Sequence, residues 1–202
     1  MAVMDERGRY DTHEVLNQSV PLEDYNAFTS DVALHEAVQR EHGDWAVERL
    51  TEFGAYCGSS HAIELGRLAN ENPPELHTHD RYGHRIDEVE YHPSYHELMT
   101  KFIASGHHSL PWTHRQPGSH VARCAMLHMQ TQVEAGVGCP MSMTFAVVPA
   151  LEEQPDVAAE WVPRVTKNEY DRRFLPARLK RSAQMGMAMT EKQGGSDIRS
   201  NT

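Results

Sequence analysis

The chain has 202 residues and a mass of 22.9 kDa, enough for one large domain or for one domain with part of a second. Its 19 basic and 29 acidic side chains give a net charge of -10, so we expect no long-range attraction to nucleic acid or to anionic lipid. The sequence shows no leader-like N-terminus and no window of about 20 apolar residues, which predicts a soluble cytoplasmic protein without a membrane contact.

The first 28 residues are predicted to form an N-terminal arm, because they carry few apolar side chains and no sustained period. A helical domain is predicted for residues 29–162. Its first helix is expected to begin after Ser30 as the N-cap, with Asp31 in the first turn. A second helix fits residues 44–57, and Gly58 follows it as a stop signal.

The middle of the helical domain is predicted to contain a third helix, a small β-hairpin and a fourth helix. The third helix is short and opens at Ser60, whereas residues 76–79 and 86–91 alternate and flank a turn, which predicts the hairpin. Pro93 occupies a first helical position, and apolar residues then recur at helical spacing as far as Gly106.

Three further helices are expected after a loop that holds Pro111 and Pro117, so the domain has six or seven helices in all. Their predicted first residues are Ser119, Pro140 and Pro155. Residues 163–182 are predicted to be a linker, because they are basic and irregular. Residues 183–202 are predicted to begin a second, β-rich domain, whose first strand is residues 185–190.

The glycine-rich stretch after that strand admits two interpretations. Adjacent Gly194 and Gly195 let backbone N–H groups approach a bulky anion, and the hydroxyl groups of Thr190 and Ser196 can bond a ring edge or a phosphate. Gly-Gly-Ser-Asp is also an ordinary turn between strands. Local chemistry alone favours the turn.

Other potential sites are weaker. His77 with His79 and His92 with His96 have spacings that can chelate zinc, but neither pair has a clear third ligand, so surface imidazoles are the default. Glu134 lies in a largely apolar helix, where a carboxylate serves as a base or as a structural hydrogen-bonding group. Three cysteines without metal spacing predict reduced thiols, and nucleophile, Walker and Rossmann motifs are absent. The cysteines are Cys57, Cys124 and Cys139.

Four methionines lie on the two helices that flank residues 136–139, and they also admit two interpretations. Methionine is usually adaptable core filler, which is the favoured interpretation, and the alternative is a soft apolar wall for an acyl chain. The four residues are Met126, Met129, Met141 and Met143.

Residues 186–197 (GMAMTEKQGGSD) resemble the Thr-Glu-x-x-x-Gly-Ser-Asp flavin signature of acyl-CoA dehydrogenases, and in particular of their adaptive-response, AidB-like branch. Five earlier runs are similar to runs of that branch, so the resemblance extends from about residue 12 to residue 202. They are residues 12–18 (THEVLNQ), 64–70 (ELGRLAN), 72–74 (NPP), 92–96 (HPSYH) and 132–136 (QVEAG).

The resemblance implies a mainly α fold, an acyl-CoA dehydrogenase-type helical domain that leads into the first strand of an FAD-binding β domain. It also implies that Met189 and Thr190 meet the pyrimidine edge of the flavin and that Gly195 and Ser196 lie at the pyrophosphate. The expected cofactor is FAD, a potential further ligand is acyl-CoA, and residues 139–144 are expected to line the acyl cavity. The full set of expected FAD-contacting residues is Met189, Thr190, Gln193, Gly194, Gly195 and Ser196.

In the family, the reaction is α,β-dehydrogenation of acyl-CoA, and the glutamate that removes the α-proton comes later than residue 202. The resemblance therefore assigns no catalytic base here, and the DNA-binding surface proposed for this branch also lies beyond the chain. We expect the chain by itself to be inactive, with weak FAD affinity or none. The alternative is a helical interaction module without catalysis, which associates with copies of itself or with a full-length relative.

Overall fold

The structure is a computed structural model, and it describes residues 12–190, 192 and 194–200. In this part of the chain seven α-helices have nine residues or more, which confirms the predicted six or seven helices. The helices are α1 (Val32–Arg40), α2 (Val47–Cys57), α3 (Ser60–Glu71), α4 (Pro93–Ser105), the one-turn α5 (Leu110–Thr113), α6 (Ser119–Val133), α7 (Gly138–Glu152) and α8 (Pro155–Val165). Short 3-10 helices are formed by Asp44–Ala46, Ala177–Leu179 and Ile198–Ser200.

The predicted hairpin is confirmed. Strands β1 (Glu75–His79) and β2 (Arg85–Glu90) pair antiparallel, with Glu75 opposite Glu90 and a register irregularity between His77 and His79. The alternating pattern of the sequence predicted the ends of both strands to within one residue of their observed positions. This was possible because each strand is bounded by proline or by turn residues.

The helix boundaries follow from capping chemistry, with one correction. Asp31, not Ser30, caps α1, because its carboxylate accepts a hydrogen bond from the Leu34 N–H at 2.9 Å. The Ser30 hydroxyl instead donates to the carbonyl of Asn26 at 2.7 Å. Gly106 ends α4 in the left-handed conformation, with φ of 79°, as the sequence indicates.

The core lies where α2, α4 and α6 meet, with α3 packed on α4 and α8 packed on α7. The rings of Phe53 and Phe102 are tilted at its centre, with centroids 5.7 Å apart. Phe28 is fully buried in this core, so the end of the predicted arm packs against the helices. None of the helices in the described ranges is long and apolar enough to cross a bilayer.

Helix α3 approaches the end of α6 without room for a side chain at Gly66. A methyl group at that position would lie 2.1 Å from the carbonyl oxygen of Val133. Gly66 belongs to the 64–70 run and Val133 to the 132–136 run of the sequence resemblance. The close backbone contact gives a steric reason for a glycine in the middle of a helix.

The chain after α8 follows the surface of the helical domain. Helix α8 reaches Val165, which is buried, three residues beyond the predicted boundary at residue 162. The strand predicted at residues 185–190 is not formed, because no other described segment pairs with it. A strand is defined by a neighbour, and an alternating sequence does not supply one.

Candidate functional site

The residues expected to contact flavin lie together at the end of the described chain, largely exposed to solvent. Met189 is 57% exposed, Thr190 is exposed, and Gly194 is partly buried. Gly195 and Ser196 are exposed, and Gln193 lies outside the described residues. The described residues of the loop are therefore for the most part accessible to solvent.

The space beside Gly195 is open. A methyl group built on Gly195 meets no atom within 4 Å, so packing within the described structure does not require glycine there. The hydroxyl groups of Thr190 and Ser196 bond to no other described residue. Open backbone and two available hydroxyl groups are the features that one edge of a flavin nucleotide requires.

The extended segment that precedes the loop is attached to the helical domain through alternate backbone N–H groups. The Arg181 N–H donates to the carboxylate of Asp171 at 2.9 Å. The Ala183 N–H donates to the carbonyl of Arg164 at 3.2 Å, and the Met185 N–H donates to the hydroxyl of Thr144 at 3.1 Å. Alternate amides of an extended chain point to one side, so these bonds fix the orientation of the segment.

Asp171 is the most constrained of the three acceptors. Its side chain is 1% exposed, and its two carboxylate oxygens accept bonds from the Arg173 guanidinium at 2.8 and 2.6 Å. The Arg173 guanidinium and the backbone N–H groups of Arg181 and Arg173 hold the pKa of Asp171 well below its usual range. Sequence analysis did not identify Asp171, because its partners are distributed over a stretch that has linker composition.

We predict that Asp171→Asn loosens the segment that precedes the loop. The change removes the charge and one of two acceptor oxygens, so amide hydrogen exchange at Arg181 and Ala183 should accelerate about tenfold. Glu169→Gln is the matched control, because Glu169 pairs with Lys167 and Arg181 only through side chains on the surface. Equal acceleration in both variants would contradict the role of Asp171.

Most of the methionines that were considered as a wall for an acyl chain lie in the hydrophobic core. Met126, Met129 and Met141 are fully buried among the helices, and only Met143 of the four is partly accessible. The core-filler interpretation therefore describes three of the four residues. In the 139–144 stretch, Cys139 is exposed and Thr144 is buried, where it holds Met185.

Four of the runs that carry the sequence resemblance meet at a groove of 490 Å³. The groove is bounded by the end of α3, the start of α4 and the turn between α6 and α7. Its lining includes Asn70, Pro73, Tyr95, Glu134 and Gly136, with Pro140, Tyr91 and Gln184 beside them. Tyr91 and Gln184 were not identified from the sequence, because neither belongs to a recognisable motif.

Glu134 has a structural role in this chain. Its two carboxylate oxygens accept hydrogen bonds from the N–H groups of Gly136 at 2.8 Å and Val137 at 2.7 Å. These bonds organise the turn between α6 and α7, so both oxygens of the carboxylate are already engaged. Of the two interpretations left open by the sequence, the geometry supports the structural one.

The four histidines with chelating spacings contact protein groups. His77 lies 2.9 Å from Glu90, and His79 lies 3.1 Å from Thr78. His92 caps α4 by accepting from the Ser94 N–H, and His96 lies 2.9 Å from the hydroxyl of Tyr170. Within the described residues, no three metal-ligating side chains come together.

Comparison with known proteins gives one family match and one curated relative. Residues 17–172 match the family described as the adaptive response protein AidB N-terminal domain. Over 195 residues the chain is 44% identical to "Putative acyl-CoA dehydrogenase AidB" of Escherichia coli. The match covers 96% of this chain and 36% of the relative, so the chain spans about a third of that protein's length.

Two solved structures share the fold. Caenorhabditis elegans ACDH-11 in complex with C11-CoA matches with a TM-score of 0.75 and 22% identity, over 100% of this chain and 34% of that one. The structure described as Bd2924 apo-form matches with a TM-score of 0.77 and 23% identity, over 93% of this chain and 37% of that one. At these identities the similarity supports the fold alone.

Proposed function

Because the chain belongs to the AidB N-terminal domain family, we propose that it supplies the first flavin-contacting loop and part of the acyl cavity of an FAD-dependent, acyl-CoA dehydrogenase-like protein. The proposed ligands are FAD and an acyl-CoA, and the proposed wider role is the adaptive response to DNA alkylation. The observation that carries the proposal is the exposure of Thr190, Gly195 and Ser196 beyond a segment that is bonded to the helical domain.

The roles of individual residues follow from their chemistry. Thr190 would donate its hydroxyl to the flavin edge, and the backbone around Gly194 and Gly195 would approach the pyrophosphate. Ser196 would bond the pyrophosphate and face the acyl-CoA. When bound, FAD would supply the acceptor of the hydride that leaves the acyl chain. The resemblance assigns no catalytic base to this chain, so the proposed role of its residues is to bind and orient.

We predict that the purified chain binds FAD weakly and saturably and shows no dehydrogenase turnover. Equilibrium dialysis should detect binding, gel filtration should remove the flavin, and a dye-reduction assay with isovaleryl-CoA should give no signal. Gly195→Val should weaken FAD binding about fivefold, because its side chain would fill the space beside the backbone and remove about one hydrogen bond.

Gly186→Val is the matched control for this measurement. A methyl group at Gly186 also meets no atom within 4 Å, but Gly186 is not one of the expected contacts. Stoichiometric yellow FAD that survives gel filtration, or turnover with isovaleryl-CoA, would overturn the proposal that this chain supplies only the first flavin contact and part of the acyl cavity. Equal FAD affinity in Gly195→Val and Gly186→Val would overturn the proposed flavin contact.

A second candidate function is an interaction module without catalysis. Exposed apolar side chains in the arm favour it: Val15 is 61% exposed, Leu16 is 80% exposed and Val20 is 88% exposed. Such side chains are typical of segments that dock on another protein surface, here a second copy or a full-length relative. Light scattering discriminates the two functions, because an oligomer that is indifferent to FAD supports the module and a monomer that takes up FAD supports the flavoprotein.

A further inference from the structure

A second groove, of 680 Å³, lies between β2, the start of α4 and the segment after α8. Aromatic rings form much of its lining, among them Tyr91, Tyr95 and Tyr170. Tyr91 stacks on Tyr95, with ring centroids 4.3 Å apart and planes within 18°. Tyr91 is partly exposed, so the stacked pair offers an aromatic surface to a planar ligand. The volume is in the range that small-molecule sites occupy.

Two cations on the wall of this groove have no carboxylate partner. Arg172 and Lys180 line it, and neither forms an ion pair with any described residue. The neighbouring arginines are paired with carboxylates: Arg173 is bonded to Asp171, and Arg181 pairs with Glu169. Two cations without an ion-pair partner among the described residues give this groove positive charge with which to bind an anion.

Two of the acidic side chains of the groove have hydrogen-bonding partners. Glu90 lies 2.9 Å from His77, and Asp171 is bonded to Arg173. Glu88 also lines the groove and has no cationic partner among the described residues. A carboxylate without a cationic partner is suited to accept hydrogen bonds from sugar hydroxyl groups, as acidic residues in nucleotide sites do.

From this arrangement we propose that the groove binds a nucleoside monophosphate. The base stacks on Tyr91, the phosphate pairs with Arg172 and Lys180, and the ribose hydroxyl groups donate to Glu88. Arginine matches the geometry of a phosphate, and lysine contributes a point charge. None of these residues belongs to the proposed flavin-contacting loop, and Tyr91 also lines the 490 Å³ groove described above.

Titration with AMP, followed by calorimetry at low ionic strength, tests the site on the intact chain. Adenosine and inorganic phosphate are titrated in parallel, to separate the contribution of the ring from that of the anion. We expect AMP to bind more tightly than either. Arg172→Gln and Lys180→Gln should each weaken AMP about tenfold, and Tyr91→Leu should weaken AMP and adenosine alike.

Arg178→Gln is the matched control, because Arg178 is an exposed, unpaired cation from the same segment that does not line the groove. It should leave AMP affinity within twofold of the parent, and circular dichroism confirms that each variant is folded. Equal losses in Arg178→Gln and Arg172→Gln would overturn the proposal in favour of unspecific charge attraction. No AMP binding at millimolar concentration, or equal binding of adenosine and AMP, would also overturn it.

Discussion

Gly66→Ala is expected to lower the free energy of unfolding by about 2 kcal/mol. The added methyl group would lie 2.1 Å from the Val133 carbonyl oxygen, so α3 and α6 must separate. Overpacking of this kind costs about 1 to 3 kcal/mol, and contact with backbone leaves less freedom to relax than contact with a side chain. Alanine gains up to about 1 kcal/mol in helix propensity, which offsets part of the loss.

Urea denaturation followed by circular dichroism measures this effect. Gly186→Ala is the control, because the methyl group meets nothing within 4 Å and the change should stay within about 0.5 kcal/mol. A midpoint for Gly66→Ala equal to that of the parent would show that α3 and α6 are not held at the described distance. The stability of this contact also matters for the candidate site, because Val133 is followed by Glu134, which lines the 490 Å³ groove.

Acidification is expected to destabilise the fold by about 3 kcal/mol between pH 7.5 and pH 5.5. His107 and His108 are buried in the connection after α4, and both ring nitrogens of His107 lack a partner among the described residues. Burial lowers the pKa of His107 to about 3, with His108 and Arg123 adding to the effect. Burial likewise lowers the pKa of His108 to about 4, opposed by its bond to the Lys167 carbonyl.

The sign of the pH effect follows from proton uptake. In the unfolded chain both histidines take up protons near pH 6.5, whereas in the folded chain they stay neutral down to about pH 4. The unfolded state therefore binds more protons below pH 6.5, and each histidine costs about 1.4 kcal/mol per pH unit. The stability is complete above pH 6.5 and is lost progressively as the pH falls toward the folded pKa values.

His107→Leu tests the assignment. The variant removes a titrating group and two unbonded nitrogens, so the slope of stability against pH should fall to about half. His13→Gln is the control, because His13 is exposed and should leave the slope unchanged. Urea midpoints at several pH values provide the measurement. A parent chain whose stability does not change between pH 7.5 and pH 5.5 would show that the histidines are not buried as described.

The predictable parts of the fold were those with local causes. Gly106 ends α4, Pro93 begins it, and both could be identified because each imposes a backbone conformation by itself. The cap of α1 was assigned one residue too early, since Ser30 and Asp31 are both good caps and only the three-dimensional path decides between them. The flavin signature was identifiable because contiguous residues make it.

The remaining features depend on residues distant in sequence. Asp171 meets Arg181 across ten residues, and Thr144 meets Met185 across 41 residues, so neither bond has a local pattern. Asp171 lies in a stretch that has the composition of a linker, yet the Asp171 side chain is almost completely buried. Residues 185–190 pair with no described strand, and the Met185 N–H instead bonds the Thr144 side chain of α7.

Arg181, Ala183 and Met185 bond the helical domain through every second backbone N–H. Inserting one residue in this segment would therefore have a different effect from inserting two. Successive amides of an extended chain point in opposite directions, so one residue inserted between Ala183 and Met185 would turn the Met185 N–H away from Thr144 and shift the proposed flavin-contacting loop. Two inserted residues would restore the direction of this N–H. The spacing between the three residues that bond Asp171, Arg164 and Thr144 is thus specified in steps of two residues.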